Sequence, residues 1–105
     1  MLFRSDPNTF ELKMLDDPPR ATYQAKPVYP FELRSRGVTG QVMVGFIVGV
    51  TGDVHDAYAV SSTDHGFESS AVQAVMHWKF KPGKKAGRPV NTRMQGSIVF
   101  SISGD

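Results

Sequence analysis

The stretch GQVMVGFIVGV, residues 40–50, decides the fold of this chain. Its large apolar side chains recur at every second position, a period that is typical of a strand burying one face. A Thr-Gly pair follows, and DVHDAYAVSS (53–62) is again rich in strand-forming residues. Two such runs around a short glycine turn predict an antiparallel hairpin. The second run loses its alternation, so we predict a β-bulge near His55 or Asp56.

Helical and strand periodicity continue outward from this hairpin. PFELRSR (30–36) is long enough for two helical turns, and Gly37 is placed as its C-terminal cap. A second helix is predicted from apolar residues at helical spacing, namely Phe67, Ala71, Ala74, Val75 and Trp78. The closing run VNTRMQGSIVFSI (90–102) alternates again, and the side chains predicted to face inward are Met94, Ile98, Phe100 and Ile102.

The order helix-strand-strand-helix-strand predicts an α+β fold. We expect two helices packed on one face of a small three-stranded antiparallel sheet. TFELKML (9–15) also alternates, so an extra N-terminal strand is an option, while residues 84–89 are predicted to form a loop. An open sheet of this kind leaves edges that need protection or serve for binding.

Length and composition bound the class of protein. A chain of 105 residues supports one domain, and the absence of cysteine excludes disulfides and thiolate metal sites. No run is apolar for the length of a membrane span, and the first ten residues lack the core of a signal peptide. We therefore expect a soluble piece, either whole or excised from a longer protein.

The polar residues do not assemble a catalytic or metal site by their spacing. Candidate ligands are Asp53, His55, Asp56, Asp64, His65 and His77, and candidate triad members are Ser61, Ser62, Asp64 and His65. The first group shows no HExxH or HxH spacing, and the second lies within five residues, where triads draw on distant segments. Turn and cap chemistry explains both groups, so we predict no enzyme activity, metal or cofactor.

The basic stretch HWKFKPGKKAGRPV (77–90) suggests nucleic acid at first sight, because aromatic residues are set among its cations. Trp78 falls on the apolar face of the second helix, and Phe80 alternates with lysines. We predict both rings to be core, which removes the stacking platform and with it a nucleic-acid partner. If the chain does bind an anionic surface, such as cell-wall glycan or nucleic acid, the residues predicted to contact it are Lys81, Lys84, Lys85 and Arg88.

The last strand carries the stronger functional prediction. It has a polar outer face and no charge between Arg93 and Asp105, and no proline interrupts it after Pro89. Natural sheets usually guard an edge with charge or proline. We expect this edge to be a docking site or a swap site, or to be covered by residues 1–29, and a homodimer is one form of that swap.

Several motifs together resemble one family, the TonB C-terminal domain. They are PVYP (27–30), the short helix ending at Gly37, GQVMVGFIV (40–48), AVSS (59–62) and FESSAVQAVMHWKFKPGKKAGRPV (67–90) before a closing strand. The resemblance covers residues 26–102. It divides the chain into an extended N-terminal segment or linker, 1–25, with at most one short strand, and a TonB-like domain, 26–105.

The resemblance implies a protein-interaction module rather than an enzyme. Such domains belong to periplasmic proteins of Gram-negative bacteria that are anchored in the inner membrane and work with ExbB and ExbD. They grip the TonB box of outer-membrane receptors and couple the proton motive force to transport. The inner-membrane helix and the Pro-rich stretch of the family are missing here, so the chain cannot itself transduce energy unless it is an excised domain. The alternative is a TonB-like paralogue with a self-paired or swapped edge, or with a basic surface, that does not transduce energy.

The resemblance also implies which residues bind the receptor. The TonB box adds as a strand beside the last strand, which here gives Arg93, Met94, Gln95, Gly96, Ser97, Ile98, Val99, Phe100 and Ser101. The YP pair, Tyr29 and Pro30, matches a family region near the receptor plug. Glu32 stands where a family member has an arginine that meets the plug, so Arg34 on the next turn is the substitute candidate.

Overall fold

The computed structural model of the protein describes residues 9–102. Its elements are β1 (Thr9–Glu11), a first 3₁₀ helix (Leu12–Met14), β2 (Arg20–Tyr23), α1 (Phe31–Ser35), β3 (Gly40–Val48), β4 (Val54–Ser62), a second 3₁₀ helix (His65–Phe67), α2 (Glu68–Met76), β5 (Lys79–Lys81), β6 (Gly83–Lys85) and β7 (Arg88–Phe100). The predicted segment 1–25 and domain 26–105 extend beyond this range, and their residues 1–8 and 103–105 lie outside the described part.

The strands form two sheets. The larger sheet has five strands with the order β1-β7-β3-β4, and β6 pairs with the start of β7. Its pairs are antiparallel except for β1 with β7, which is parallel. The smaller sheet is an antiparallel pair of β2 and β5. The α+β class is therefore right, but the predicted three-stranded antiparallel sheet is wrong.

The β6–β7 hairpin is one source of that error. Its loop is Ala86-Gly87, and both residues have positive φ, 53° and 78°. Lys85 pairs with Arg88 directly across this loop. Two-residue loops with positive φ match the twist of the flanking strands, which makes them efficient hairpin turns. The stretch predicted as a loop over residues 84–89 is thus mostly paired backbone.

The central hairpin follows the prediction. β3 buries the side chains of its even-numbered residues, Val42, Val44, Phe46 and Val48. Gly45 pairs with Tyr58 and Ile47 with His55, so one residue of β3 faces two residues of β4 at the predicted bulge. The bulge resets the phase, and Val54, Ala57 and Ala59 pack against the core together.

The core lies between the larger sheet and α2, with α1 at its margin. Its buried members include Leu33, Phe67, Ala71, Val75, Trp78, Phe80, Ile98 and Phe100. The prediction that Trp78 and Phe80 are core residues is confirmed, since they are 6% and 8% exposed. The inward alternation stops earlier than predicted at the end of the chain, because β7 ends at Phe100 and Ile102 is half-exposed.

Gly37 ends α1 as predicted. Its φ of 71° is left-handed, a conformation that costs other residues about 1 kcal/mol or more. The N–H groups of Gly37 and Val38 donate to the carbonyls of Arg34 and Leu33. This double closure satisfies helix carbonyls that otherwise lack partners, and it turns the chain toward β3.

Candidate partner-binding edge of β7

β7 is paired on both sides only over part of its length. β3 pairs with it at nine consecutive positions, from Gly40–Phe100 to Val48–Thr92. On the opposite side β1 pairs with Asn91, Thr92 and Arg93. Within the described range no strand lies beside 94–100 on that side. This seven-residue stretch, called the open edge below, contains most of the predicted partner-binding residues.

The open edge differs from the other free edge of the sheet, which is β4. The β3–β4 register shifts twice, and Asp56 of β4 has a left-handed φ of 56°. Bulges of this kind interrupt the row of outward N–H and C=O groups and discourage a further strand. The β3–β7 register shows no shift. A regular row of main-chain groups is therefore presented by the open edge and not by β4.

Aromatic packing holds the open edge in place from the core side. The Phe100 ring stacks on Phe67 with centroids 4.4 Å apart and meets the Tyr29 ring edge-on at 5.5 Å. Gly96 lies under the Trp78 ring, where an added Cβ would come within 3.4 Å. A strand fixed by such contacts loses little further freedom when a partner binds.

The outer face of the open edge is uncharged. Gln95, Ser97 and Val99 are exposed, and Val99 is 62% exposed. Ser101 follows the strand and is also exposed. The nearest charge on β7 is Arg93, whose Nε lies 3.6 Å from the Glu11 carboxylate of β1. These groups leave the edge without the lysines or prolines that usually guard one.

The predicted second contact region lies beside the end of β7. Tyr29 is half-buried, and its hydroxyl donates to the Val38 carbonyl at 2.5 Å. Its ring is therefore a structural link between residues 25–30 and the core. Arg34 is exposed and lies 5.8 Å from the centre of that ring, while Pro30 precedes α1. The structure thus brings Tyr29 next to Phe100 and leaves Arg34 accessible.

The residues predicted to contact an anionic partner are a group of exposed cations at the opposite end of β7. Lys84 and Lys85 lie on β6, Arg88 begins β7, and Lys81 belongs to β5. Acidic residues border the group, because the Asp17 backbone forms an isolated β-bridge with Lys84 and the Asp16 carboxylate accepts from the Ala86 N–H at 2.6 Å. The cations are not grouped on the open edge.

The polar residues considered for catalysis serve the start of α2. The Glu68 carboxylate accepts from the Ser62 hydroxyl and lies 2.7 Å from His65 Nδ1. These hydrogen bonds, with that from Ser62 the larger effect, hold the pKa of Glu68 below its ordinary value. The Asp64 carboxylate accepts from the Gly66 N–H at 2.8 Å and caps the second 3₁₀ helix. The arrangement is a helix start rather than a nucleophile with its base.

The metal candidates are spread over separate contacts. Asp53 pairs with Lys79 at 2.8 Å, and that hydrogen bond and charge lower the pKa of Asp53. His55 contacts Asp56, and His77 Nδ1 lies 2.9 Å from the Gln73 carbonyl. In the part of the chain that the structure describes, no group of three or more His, Cys, Asp or Glu is placed to hold a metal ion.

Sequence reasoning missed how the N-terminal segment is used. Arg20–Tyr23 forms β2 on β5, and the Trp78 Nε1 donates to the Ala25 carbonyl at 3.0 Å. The extra strand allowed for TFELKML exists as β1, but no pattern indicated that it runs parallel to β7. The alternation of Lys79, Phe80 and Lys81 was a usable signal for β5.

The fold and the motifs lead to one family. The family described as the Gram-negative bacterial TonB protein C-terminal matches residues 25–102. The chain belongs to this family. The resemblance stated from the motifs is thereby confirmed, and its predicted limits of 26–102 agree with the match to one residue.

Curated relatives that carry the name Protein TonB match most of this chain. The relative from Vibrio cholerae is 32% identical over 92 residues, which cover 87% of this chain and 38% of the relative. The relative from Escherichia coli strain K12 is 33% identical over 88 residues, 82% of this chain and 34% of the relative. The chain thus spans little more than a third of these two proteins.

A solved structure agrees with the architecture. The solution structure of the Pseudomonas aeruginosa TonB C-terminal domain aligns with a TM-score of 0.71 at 26% identity. The alignment covers 91% of this chain and 96% of that domain.

Among residues 9–102 of this chain, no helix is long and apolar enough to cross a membrane.

Proposed function

We propose that this domain is the receptor-binding module of a TonB-type energy transducer, and that it binds an extended receptor segment by strand addition along the open edge. The segment is the TonB box of an outer-membrane receptor. The carrying observation is the stretch from Met94 to Phe100, which is regular and uncharged and, among residues 9–102, has no strand on the side away from β3. Family membership supports the class of partner, and the regular edge supports the mode of binding.

Main-chain pairing sets the expected strength of the complex. In a strand every second residue directs its N–H and C=O to the same side, so three or four of the seven residues face the partner. They provide about six to eight hydrogen bonds, each contributing about 0.5–1.5 kcal/mol net. After the cost of ordering the peptide, a dissociation constant of about 1–100 μM is expected.

The side chains of the edge favour an uncharged partner strand. A strand laid beside β7 places alternate side chains near Gln95, Ser97 and Val99. These neighbours offer hydrogen bonds and apolar contact but no charge. Because most of the affinity comes from the main chain, one domain can serve receptors of different sequence.

A second receptor contact is proposed at the segment before and within α1. Arg34 and Pro30 lie at the margin of the domain near the end of β7, and Arg34 is exposed. Tyr29 supports this region through its bond to Val38 and its packing on Phe100. The exposed Arg34 guanidinium provides a donor for carboxylate or carbonyl groups of the receptor.

The proposed role in the whole protein is mechanical coupling in the periplasm. The longer protein would be anchored in the inner membrane and driven by ExbB and ExbD through segments outside this chain. A pull along the strand direction loads the hydrogen bonds of the open edge together. A complex of modest affinity then carries force while it is loaded.

Adjacent proline substitutions test the proposal. Of Gln95 and Gly96, one directs its N–H to β3 and the other to the open edge, because strand residues alternate. Gln95→Pro and Gly96→Pro are each titrated with a synthetic TonB-box peptide in a calorimeter. We expect the variant with the smaller loss of thermal stability to lose peptide binding about tenfold or more.

The matched control applies the same pair to the other edge strand, as Tyr58→Pro and Ala59→Pro on β4. The better folded member of this pair should bind the peptide as the unaltered chain does. Sedimentation velocity establishes that each titrated sample is a monomer, since a dimer joined through β7 would hide the edge. Unchanged binding in both β7 variants would overturn the proposal.

A further inference from the structure

β1 lies on the same edge of β7 to which we assign the partner. Thr92 and Arg93 pair with β3 through Val48 and Ile47. The same two residues pair with Phe10 and Glu11 of β1. A strand has only two edges, so β1 occupies the edge that continues as the open edge from Met94 onward. An incoming strand and β1 are thus collinear neighbours on β7.

We propose that β1 and the first 3₁₀ helix act as a stop that ends the partner strand at Met94. This inference rests on the proposed function and specifies its footprint. Without the stop, the regular edge would extend over ten residues, from Asn91 to Phe100. With the stop in place, seven residues remain, from 94 to 100.

The chain leaves the edge sharply at the point where β1 ends. The first 3₁₀ helix follows Glu11 at once, and Leu15 closes it by donating its N–H to the Leu12 carbonyl at 3.1 Å. A 3₁₀ turn cannot continue strand pairing, because its dihedral angles lie outside the extended region. β1 therefore does not run on beside Met94, and its pairing ends at Arg93.

Contacts beyond the turn hold the stop in position. The Asp16 N–H donates to the Lys84 carbonyl at 2.9 Å, and the Lys84 N–H donates to the Asp17 carbonyl at 2.8 Å. The Leu15 side chain packs against Gly83, where an added Cβ would come within 2.6 Å of it. The Glu11–Arg93 ion pair adds a contact at the edge itself. The segment is thus tied to β7 on one side and to β6 on the other.

A cavity marks the junction between the stop and the open edge. Its volume is about 340 Å³, and it is lined by Glu11, Leu12, Tyr58, Arg93, Met94 and Gln95. Tyr58 reaches this outer face across Gly45, which has no side chain to block it. The cavity gives the last residue of a partner strand room to end beside the stop without a clash.

The test compares peptide length with affinity in two forms of the chain. The probes are a seven-residue TonB-box peptide and two longer peptides, one with three residues added at its N-terminus and one with three residues added at its C-terminus. In the unaltered chain, we expect lengthening toward Arg93 to change the affinity less than about twofold. The variant Phe10→Pro/Glu11→Pro removes adjacent N–H groups of β1. In this variant, lengthening the peptide toward Arg93 should raise the affinity about tenfold, since about three further hydrogen bonds become available.

The matched control is Phe10→Ala/Glu11→Ala, which keeps both N–H groups and should retain the length limit. Hydrogen exchange adds a direct readout, because only the proline variant should gain peptide-dependent protection at Asn91–Arg93. Equal length dependence in the unaltered chain and the proline variant overturns the stop. Absence of binding by every peptide in every form would instead contradict the proposed function, so the two failures are distinguishable.

Discussion

Replacing Trp78 tests the packing that supports the open edge. The ring is 6% exposed, lies edge-on to Phe46 with centroids 6.0 Å apart, and covers Gly96 of β7. Its Nε1 donates to the Ala25 carbonyl at 3.0 Å. Truncation of a buried tryptophan costs about 3–5 kcal/mol. A domain of this size has a free energy of unfolding of about 5–15 kcal/mol, so Trp78→Ala removes a large part of it.

Trp78→Phe separates the hydrogen bond from the packing. Phenylalanine keeps an aromatic ring against Phe46 but leaves the Ala25 carbonyl without its donor, at a cost of about 1–3 kcal/mol. Trp78 is the only tryptophan, so both variants lose tryptophan fluorescence as a signal of unfolding. Urea unfolding should therefore be followed by far-ultraviolet circular dichroism. At about 4 °C per kcal/mol, the alanine variant should melt about 12–20 °C lower.

The control for this series is Met76→Ala, because Met76 is the last residue of α2, lies two positions before Trp78 and is 51% exposed. We expect it to change the free energy of unfolding by less than about 0.5 kcal/mol. The reasoning is refuted if Trp78→Ala destabilises the chain no more than this control does. That result would mean that the ring does not pack between α2 and β7.

Three further predictions concern a turn, a charge and the basic hairpin. Gly37→Ala should lower the free energy of unfolding by about 1 kcal/mol, since its φ of 71° is left-handed and open space surrounds the added Cβ; an unchanged melting temperature would contradict this. The Ser62 hydrogen bond lowers the pKa of Glu68 in the folded chain. The contribution of Glu68 to the free energy of unfolding is therefore present above its unfolded pKa of about 4.3, and it is lost as pH falls through the folded pKa. Glu68→Gln should therefore flatten the acid limb of the stability–pH profile, and an unchanged limb would argue against the contact. Lys84→Ala/Lys85→Ala should leave peptide affinity within about twofold at low and high salt, whereas a steep salt dependence in the unaltered chain would favour an anionic partner.

The sequence predicted those elements whose own pattern carries the signal. Local preferences predicted three features. These are the buried face of β3 from its even-numbered apolar residues, the bulge near Asp56 from the lost alternation, and the end of α1 from the glycine that follows it. The α2 spacing placed Trp78 in the core for the same reason. These features depend on neighbours within a few residues, so one sequence is enough to find them.

The sequence did not predict pairing between distant short strands. β1 and β2 have three and four residues, and their partners lie about 60 to 80 positions away along the chain. Such strands exist because the rest of the sheet offers an edge, and β-propensity carries little information on that context. The open edge itself was predicted from the uncharged run after Arg93, but its limit at Met94 depends on β1.

The central claim is that a partner strand pairs with the open edge, and amide hydrogen exchange by NMR tests it most directly. Exchange is measured on the isotope-labelled chain with and without a saturating TonB-box peptide. The account predicts new protection at alternate residues between Met94 and Phe100, with no change along β4. Protection that appears at 54–62, or at 25–34 without any change in β7, would contradict it.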